Sequence, residues 1–232
     1  MWIILVWIIS TICYVPLYLE RIGYSVPNAL IQAKYLFVLV PIIFSLLFVG
    51  RKTSIKKWLH HLFAIKMEIE ALVVCSVIAF CGIFCTSILD KEAWNEMSLL
   101  FSICYLFLMA ILEEIAWRGF CLESVMKKRT AGIAVLIVSF EWAIWHIPMW
   151  MIRNSLGVNE VVFWLVYTVL VGNILGNCMI RYKNILVPII LHTIFNVCFL
   201  MKITISIMVV LGIWIGCLIL KTVTEKRNAL SE

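Results

Sequence analysis

The chain has 232 residues, of which 64% are hydrophobic and 14% charged, with a formal net charge of +6 and a mean hydropathy of +1.07. Soluble domains contain roughly 45–50% apolar residues, so this composition excludes a soluble protein and indicates one embedded in a lipid bilayer. The polar connections between the apolar runs are too short to bury a core of their own, so we expect residues 1–232 to form a single membrane domain.

Apolar segments long enough to cross a membrane recur along the whole chain. A transmembrane helix needs about 20 mostly apolar residues, and the pattern predicts an all-α, polytopic fold with about eight such helices. The first has no basic segment before it, so we expect a membrane span rather than a cleaved signal peptide. In chain order the predicted spans cover residues 2–19, 35–49, 71–89, 98–117, 131–152, 161–180, 185–201 and 203–220.

The basic residues are distributed unevenly about these spans. Most of the 19 Lys and Arg residues lie in the connections after the second, fourth and sixth spans and in the C-terminal tail. The positive-inside rule then predicts that both termini are cytoplasmic, and orientation explains the basic character without a nucleic-acid partner. Residues 51–70 mix basic and bulky apolar side chains, which is typical of an amphipathic helix in the membrane interface. We expect His60 and His61 within it to be solvated rather than ligands.

Few polar side chains fall inside the predicted spans, and each is a candidate for function because lipid disfavours ionisable groups. For any one of them, a hydrogen bond between helices is the simpler explanation. Their joint occurrence on several spans favours a polar site. They are Glu113, Glu114 and Arg118 on the fourth span, Glu141 and His146 on the fifth, Asn173 and Asn177 on the sixth, and His192 and Asn196 on the seventh.

Helical spacing separates the two adjacent glutamates. Glu114 precedes Arg118 by four residues, which is the favourable order for an ion pair along one helix face. Glu113 is turned about 100° from Glu114, so it is free to face a cavity, where a carboxylate can act as a general base. For this cluster alone, the alternative is a charged anchor at the cytoplasmic end of the helix.

Two further segments carry groups that would complete such a site. In "FEWAIWH", Trp142 lies one turn before His146 and can shape the pocket of its imidazole. In "HTIFN", His192 and Asn196 share one helix face. Hydrolysis by water needs a base and donors for the oxyanion. Glu113 with His146, and His192 with Asn196, would supply both.

The segments "EEIAWR", "WAIWH" and "HTIFN" resemble, in that order, the EExxxR, FxxxH and HxxxN/D motifs of the CPBP family of intramembrane proteases. This family includes CAAX proteases and bacteriocin-processing or abortive-infection proteins. The resemblance covers residues 98–200, the expected catalytic core of helices four to seven. It implies an eight-helix membrane enzyme that cuts a peptide bond near the cytoplasmic face with a glutamate-activated water. By this resemblance Glu113 and His146 activate the water, while His192 and Asn196 bind the oxyanion.

The resemblance also implies that Glu114 and Arg118 support the site without touching substrate. Trp142 is expected to do the same, although it departs from the family pattern, which has Phe at this position; the larger ring would narrow the pocket. Glu141 is an additional carboxylate, turned about 100° from Trp142. We therefore expect Glu141 to pair elsewhere in the bundle.

The predicted depths of the two intramembrane histidines differ. Counting ~1.5 Å per residue, His192 lies about 11 Å into the seventh span, whereas His146 lies over ~20 Å from Ala131. The two meet only if the fifth span begins outside the bilayer or is tilted. Pro148 follows His146 closely and is expected to distort that helix.

The sixth span contains the segment "GNILGN", which predicts a packing role. Gly172 and Gly176 form a small-xxx-small face that permits close approach of a neighbouring helix. Asn173 and Asn177 lie on the adjacent face, where we expect interhelical hydrogen bonds rather than a role in the site.

Other functions are compatible with the same residues. A zinc metalloprotease could use His146, His192 and a glutamate, but no HExxH motif is present; we expect no cofactor, with zinc as the alternative. A proton-coupled transporter would favour repeated halves, which the sequence lacks. A non-catalytic bacteriocin-immunity protein is a third alternative.

The expected partners are the lipid bilayer and a membrane-associated peptide or protein substrate. The expected location is a cell membrane, multi-pass, in a bacterium. Prenylated CAAX proteins, peptide pheromones, bacteriocin precursors and membrane-anchored regulators all fit as substrates.

Overall fold

The computed structural model describes the backbone of residues 1–63 and 96–200, and in the second range the side chains of residues 101–197. All regular elements in these ranges are helical, and no strand occurs in them. The helices are α1 Trp2–Ile12, α2 Val15–Arg21, α3 Asn28–Ile31, α4 Leu39–Gly50, α5 Ile55–Phe63, α6 Glu96–Glu114, α7 Glu123–Met126, α8 Ala131–Trp145, α9 Val158–Tyr182 and α10 Leu186–Leu200. A 3₁₀ turn covers Gln32–Tyr35, and π-helical segments cover Ile115–Leu122 and Met149–Arg153.

Three helical runs of the described chain are long and apolar enough to cross a membrane. They are Trp2–Arg21, Ala131–Arg153 and Val158–Tyr182, which match the first, fifth and sixth predicted spans. The α10 segment Leu186–Val197 is a shorter apolar helix at the place of the seventh. The predicted spans 71–89 and 203–220 lie outside the described residues. The total of eight spans and the orientation of the termini therefore stay predictions.

The predicted second span, residues 35–49, is not one continuous helix. The structure has two helical pieces there, Asn28–Tyr35 and Leu39–Gly50, which meet at a 64° bend. Pro41 lies in the first turn of α4. Proline lacks an N–H and its ring clashes with the carbonyl four residues earlier, so a regular α-helix cannot continue back through Phe37.

The amphipathic helix predicted within residues 51–70 forms as α5. Its apolar side chains Trp58 and Leu62 are buried, whereas His60 and His61 are exposed. Leu62 packs against Gly119 of the first π-helical segment. The Leu62 carbonyl also accepts a hydrogen bond of 3.2 Å from the Ile185 amide. One face of α5 therefore packs against the first π-helical segment and the residue just before α10.

Helices α8 and α9 pack closely at two glycines of α9. A Cβ placed on Gly172 would lie 3.0 Å from Ser139 Cβ, and one on Gly176 would lie 2.9 Å from Val135 Cγ1. The predicted packing role of these glycines is therefore confirmed. On the adjacent face, the Asn177 amide donates to the backbone and side-chain oxygens of Asn173, so this contact lies within α9 rather than between helices.

The two π-helical segments lie beside the predicted site residues. The first begins directly after Glu114 and includes Arg118, and the second begins directly after Pro148. The α-helical part of the fifth span ends at Trp145, with His146 as its C-cap. The distortion predicted from Pro148 is therefore confirmed. π-Helical turns occur frequently at functional sites because they displace side chains from the regular register.

We predict that Gly176→Ala lowers the stability of the folded protein by about 1–3 kcal/mol, because Val135 is β-branched and cannot turn away from the new methyl group. Gly132→Ala is the matched control, since a Cβ there meets no atom within 4 Å. Thermal unfolding in detergent micelles measures both variants. Equal unfolding midpoints would contradict the close packing of α8 against α9.

Candidate active site

The carboxylate of Glu114 is fully buried and binds two other polar side chains. Its Oε1 accepts a hydrogen bond of 2.8 Å from Arg118 Nη1 and another of 2.8 Å from His192 Nδ1. Glu114 is 0% exposed and Arg118 1%. The guanidinium also donates from Nη2 to the Gly172 carbonyl at 3.2 Å. One carboxylate and one guanidinium thereby connect α6, the first π-helical segment, α9 and α10.

Glu113 faces a different group, as its position one residue earlier predicts. Its Oε2 accepts a 2.9 Å hydrogen bond from the indole nitrogen of Trp142 on α8. The same oxygen lies 3.8 Å from His146 Nε2. That separation is too long for a direct hydrogen bond. Glu113 is 8% exposed, so its carboxylate is buried yet less completely enclosed than that of Glu114.

The imidazole of His146 is held by its own helix. Nδ1 lies 2.8 Å from the Trp142 carbonyl oxygen, one turn earlier. A carbonyl can only accept a hydrogen bond, so Nδ1 carries the proton and Nε2 presents its lone pair to Glu113 when the ring is neutral.

Aromatic rings surround this imidazole. Its ring centroid lies 5.1 Å from that of Trp142, 5.5 Å from that of Trp150 and 6.4 Å from that of Phe37. Trp150 is nearly parallel to the imidazole, with an interplanar angle of 17°. Phe37 belongs to the N-terminal part of the chain, and sequence patterns did not associate it with the site. The only available signal was the high aromatic content, which carries no positional information.

Trp142 contacts both histidines, at 5.1 Å to the His146 ring and 5.2 Å to the His192 ring. The two histidines, for which the sequence predicts unequal depths, therefore flank one indole. The guanidinium carbon of Arg118 lies 4.4 Å from the centroid of the Trp142 ring, a cation–π distance.

The structure thus assembles six of the seven predicted site residues through direct contacts. Asn196 is half-buried on α10, one turn after His192, and no hydrogen bond links it to the other six in the described part of the chain. Glu141 is half-buried, and its Oε2 has no hydrogen-bond partner among the residues described. The pairing expected for Glu141 therefore stays a prediction.

Candidate metal ligands were compared within residues 1–63 and 96–200. No group of three or more His, Cys, Asp or Glu side chains there is arranged as it would be around a metal ion. Glu114 Oε1 is already occupied by two hydrogen-bond donors. The zinc alternative is left to experiment.

The segment that contains these side chains is similar to a known family of proteases. Residues 95–198 match the family model described as type II CAAX prenyl endopeptidase Rce1-like. All three predicted motifs lie inside this match. The resemblance to this family of membrane proteases is therefore confirmed for the segment that contains the site.

One curated relative also carries the name of a CAAX protease. It is the CAAX prenyl protease 2 of Methanococcus maripaludis, which is 28% identical over 102 residues. The match covers 39% of this chain and 36% of the relative. The chain thus spans little more than a third of the length of the relative that it matches.

We predict that Arg118→Ala sharply reduces folding or expression, by about 3–5 kcal/mol of stability, because it leaves the Glu114 carboxylate buried beside a single partner. Lys127→Ala is the matched control: it removes an exposed pair of the same spacing, Lys127 with Glu123 at 3.4 Å, and such pairs contribute roughly 0.3–0.5 kcal/mol. Thermal unfolding compares the two. Equal losses would contradict a structural role for the buried pair.

Proposed function

We propose that this protein is an intramembrane endopeptidase that hydrolyses a peptide bond in a membrane-associated peptide or protein, with a water activated by Glu113 and His146. The observation that carries the proposal is the 3.8 Å separation between Glu113 Oε2 and His146 Nε2. When two polar atoms lie more than about 3.5 Å apart, a water can bridge them. A water at that point would have an acceptor on both sides.

The proton of such a water can pass to Glu113 or to His146, since both present acceptor lone pairs. The carboxylate is held from one side by the Trp142 N–H, and the imidazole from the other by the Trp142 carbonyl. Catalytic groups that are already oriented need little rearrangement in the transition state. The resulting hydroxide would attack the carbonyl carbon of the scissile bond, and the proton would later pass to the leaving amine.

His192 is suited to stabilise the oxyanion that this attack creates. Its Nδ1 is bound to Glu114, so Nε2 is the nitrogen that is left for substrate. A protonated imidazole would donate from Nε2, and the Glu114 carboxylate behind it would stabilise the positive charge. Asn196, one turn further along α10, would offer an amide donor.

The family match supports a proposal for the substrate class. The matching family and the relative are named for CAAX prenyl substrates, whose cleaved bond lies close to the C-terminus beside a lipidated cysteine. We propose that the substrate is a lipid-anchored peptide of this kind, located in a cell membrane. A site buried between apolar helices suits a substrate that reaches it through the bilayer.

We predict that Glu113→Gln lowers kcat for cleavage of a farnesylated CAAX peptide in proteoliposomes by about 10²–10⁴-fold, the range for loss of a general base. KM and the unfolding temperature stay close to those of the wild type, because the glutamine oxygen can still accept from the Trp142 indole. Glu123→Gln, an exposed position on α7, is the control with unchanged activity. The wild type is expected to cleave equally well with and without a metal chelator.

Full activity of Glu113→Gln would contradict the proposed mechanism. Stoichiometric zinc in the purified protein, together with loss of cleavage in chelator, would favour the metalloprotease instead. An intact cellular phenotype in both Glu113→Ala and His192→Ala would favour a binding or immunity role.

A further inference from the structure

Position 142 is where this chain departs from the FxxxH motif, and the replacement adds a hydrogen-bond donor. Phe has no polar atom, whereas the Trp142 indole N–H donates to Glu113 Oε2 at 2.9 Å. We propose that Trp142 is a positioning residue for the general base, whose N–H holds Glu113 Oε2 beside the point where a water would lie between this oxygen and His146 Nε2. This inference rests on the proposed function and goes beyond it by assigning a role that the motif residue Phe could not fill.

One residue thereby orients both partners of the proposed acid–base pair. The side chain of Trp142 fixes the carboxylate, and its backbone carbonyl fixes His146 through Nδ1 at 2.8 Å. A carboxylate with a single fixed oxygen can no longer rotate freely about its last bond. The N–H therefore holds Oε2 in its position 3.8 Å from His146 Nε2.

The indole itself has little freedom to move. Trp142 is 3% exposed, and the Arg118 guanidinium lies over its ring at 4.4 Å. The His146 and His192 rings meet it edge to face, each with an interplanar angle of 83°. A donor held in this way keeps its direction when substrate enters, which is what positioning a base requires.

A purely structural role predicts a different outcome from a positioning role. Packing depends on the shape of the ring, whereas positioning depends on its N–H. Replacing Trp142 by benzothienylalanine, which has the same shape and sulfur in place of N–H, separates the two. Trp117 is the matched control: it is also fully buried, and its indole nitrogen has no hydrogen-bond partner among the described residues.

The test compares kcat and KM of the two analogue proteins for cleavage of a farnesylated CAAX peptide in proteoliposomes. At position 142 we expect kcat to fall roughly tenfold or more, the effect of one hydrogen bond to a charged group, with KM changed less than about twofold. At position 117 both constants stay within about twofold of the wild type. Equal kcat for the two analogue proteins would overturn the role of the N–H and leave the endopeptidase function in place.

A second measurement tests the contact without any cleavage. In protein labelled with ¹⁵N at the indole nitrogens, the Trp142 resonance is the one that disappears in Trp142→Phe. We expect this resonance to move upfield in Glu113→Gln, because a neutral amide is a weaker acceptor than a carboxylate. Glu123→Gln should leave it in place. A resonance that is insensitive to Glu113→Gln would overturn the proposal, whatever the activity of the protein.

Discussion

The arrangement of the site depends on one buried carboxylate, that of Glu114. It accepts from Arg118 and from His192 at 2.8 Å each, at a point where it is 0% exposed. A charge in such an environment is tolerated only when it is paired and hydrogen-bonded. The need to satisfy Glu114 therefore fixes α10 relative to α6, and Arg118 extends the constraint to the Gly172 carbonyl of α9.

The two adjacent glutamates, Glu113 and Glu114, have different contacts and therefore different proposed roles. Glu114 is held by two donors at Oε1, while its buried Oε2 has no hydrogen-bond partner among the described residues. Glu113 instead lies 3.8 Å from His146 Nε2, the contact on which its proposed role rests. Trp142 lies between the two networks, since its N–H reaches Glu113 and its ring contacts Arg118. Gly172 takes part in both packing and polar contacts, since its carbonyl accepts from Arg118 and its α-carbon lies against Ser139 of α8. Packing and polar chemistry thus support the same geometry.

Much of the site could be predicted from local spacing. The order of Glu114 and Arg118 predicted their ion pair, and the spacing of Trp142 and His146 predicted adjacent rings. The bend before α4 was missed, although Pro41 is a local signal of the same kind as Pro148. The contribution of Phe37 could not be predicted, because it depends on a contact between distant segments. The contact between Glu114 and His192, 78 residues apart, was likewise beyond any local pattern. Sequence reasoning assigned His192 to the oxyanion and did not identify the carboxylate that orients it.

As a general base, Glu113 acts on a water and forms no covalent bond to the substrate in the mechanism that we propose. The most direct measurement is repeated turnover of a farnesylated CAAX peptide in H₂¹⁸O, followed by mass analysis of the product and of the enzyme fragment that contains Glu113. General-base catalysis by Glu113 predicts ¹⁸O in the new C-terminal carboxylate of the product and none in the enzyme. Incorporation of ¹⁸O into the Glu113 side chain would show an acyl-enzyme intermediate and contradict the claim.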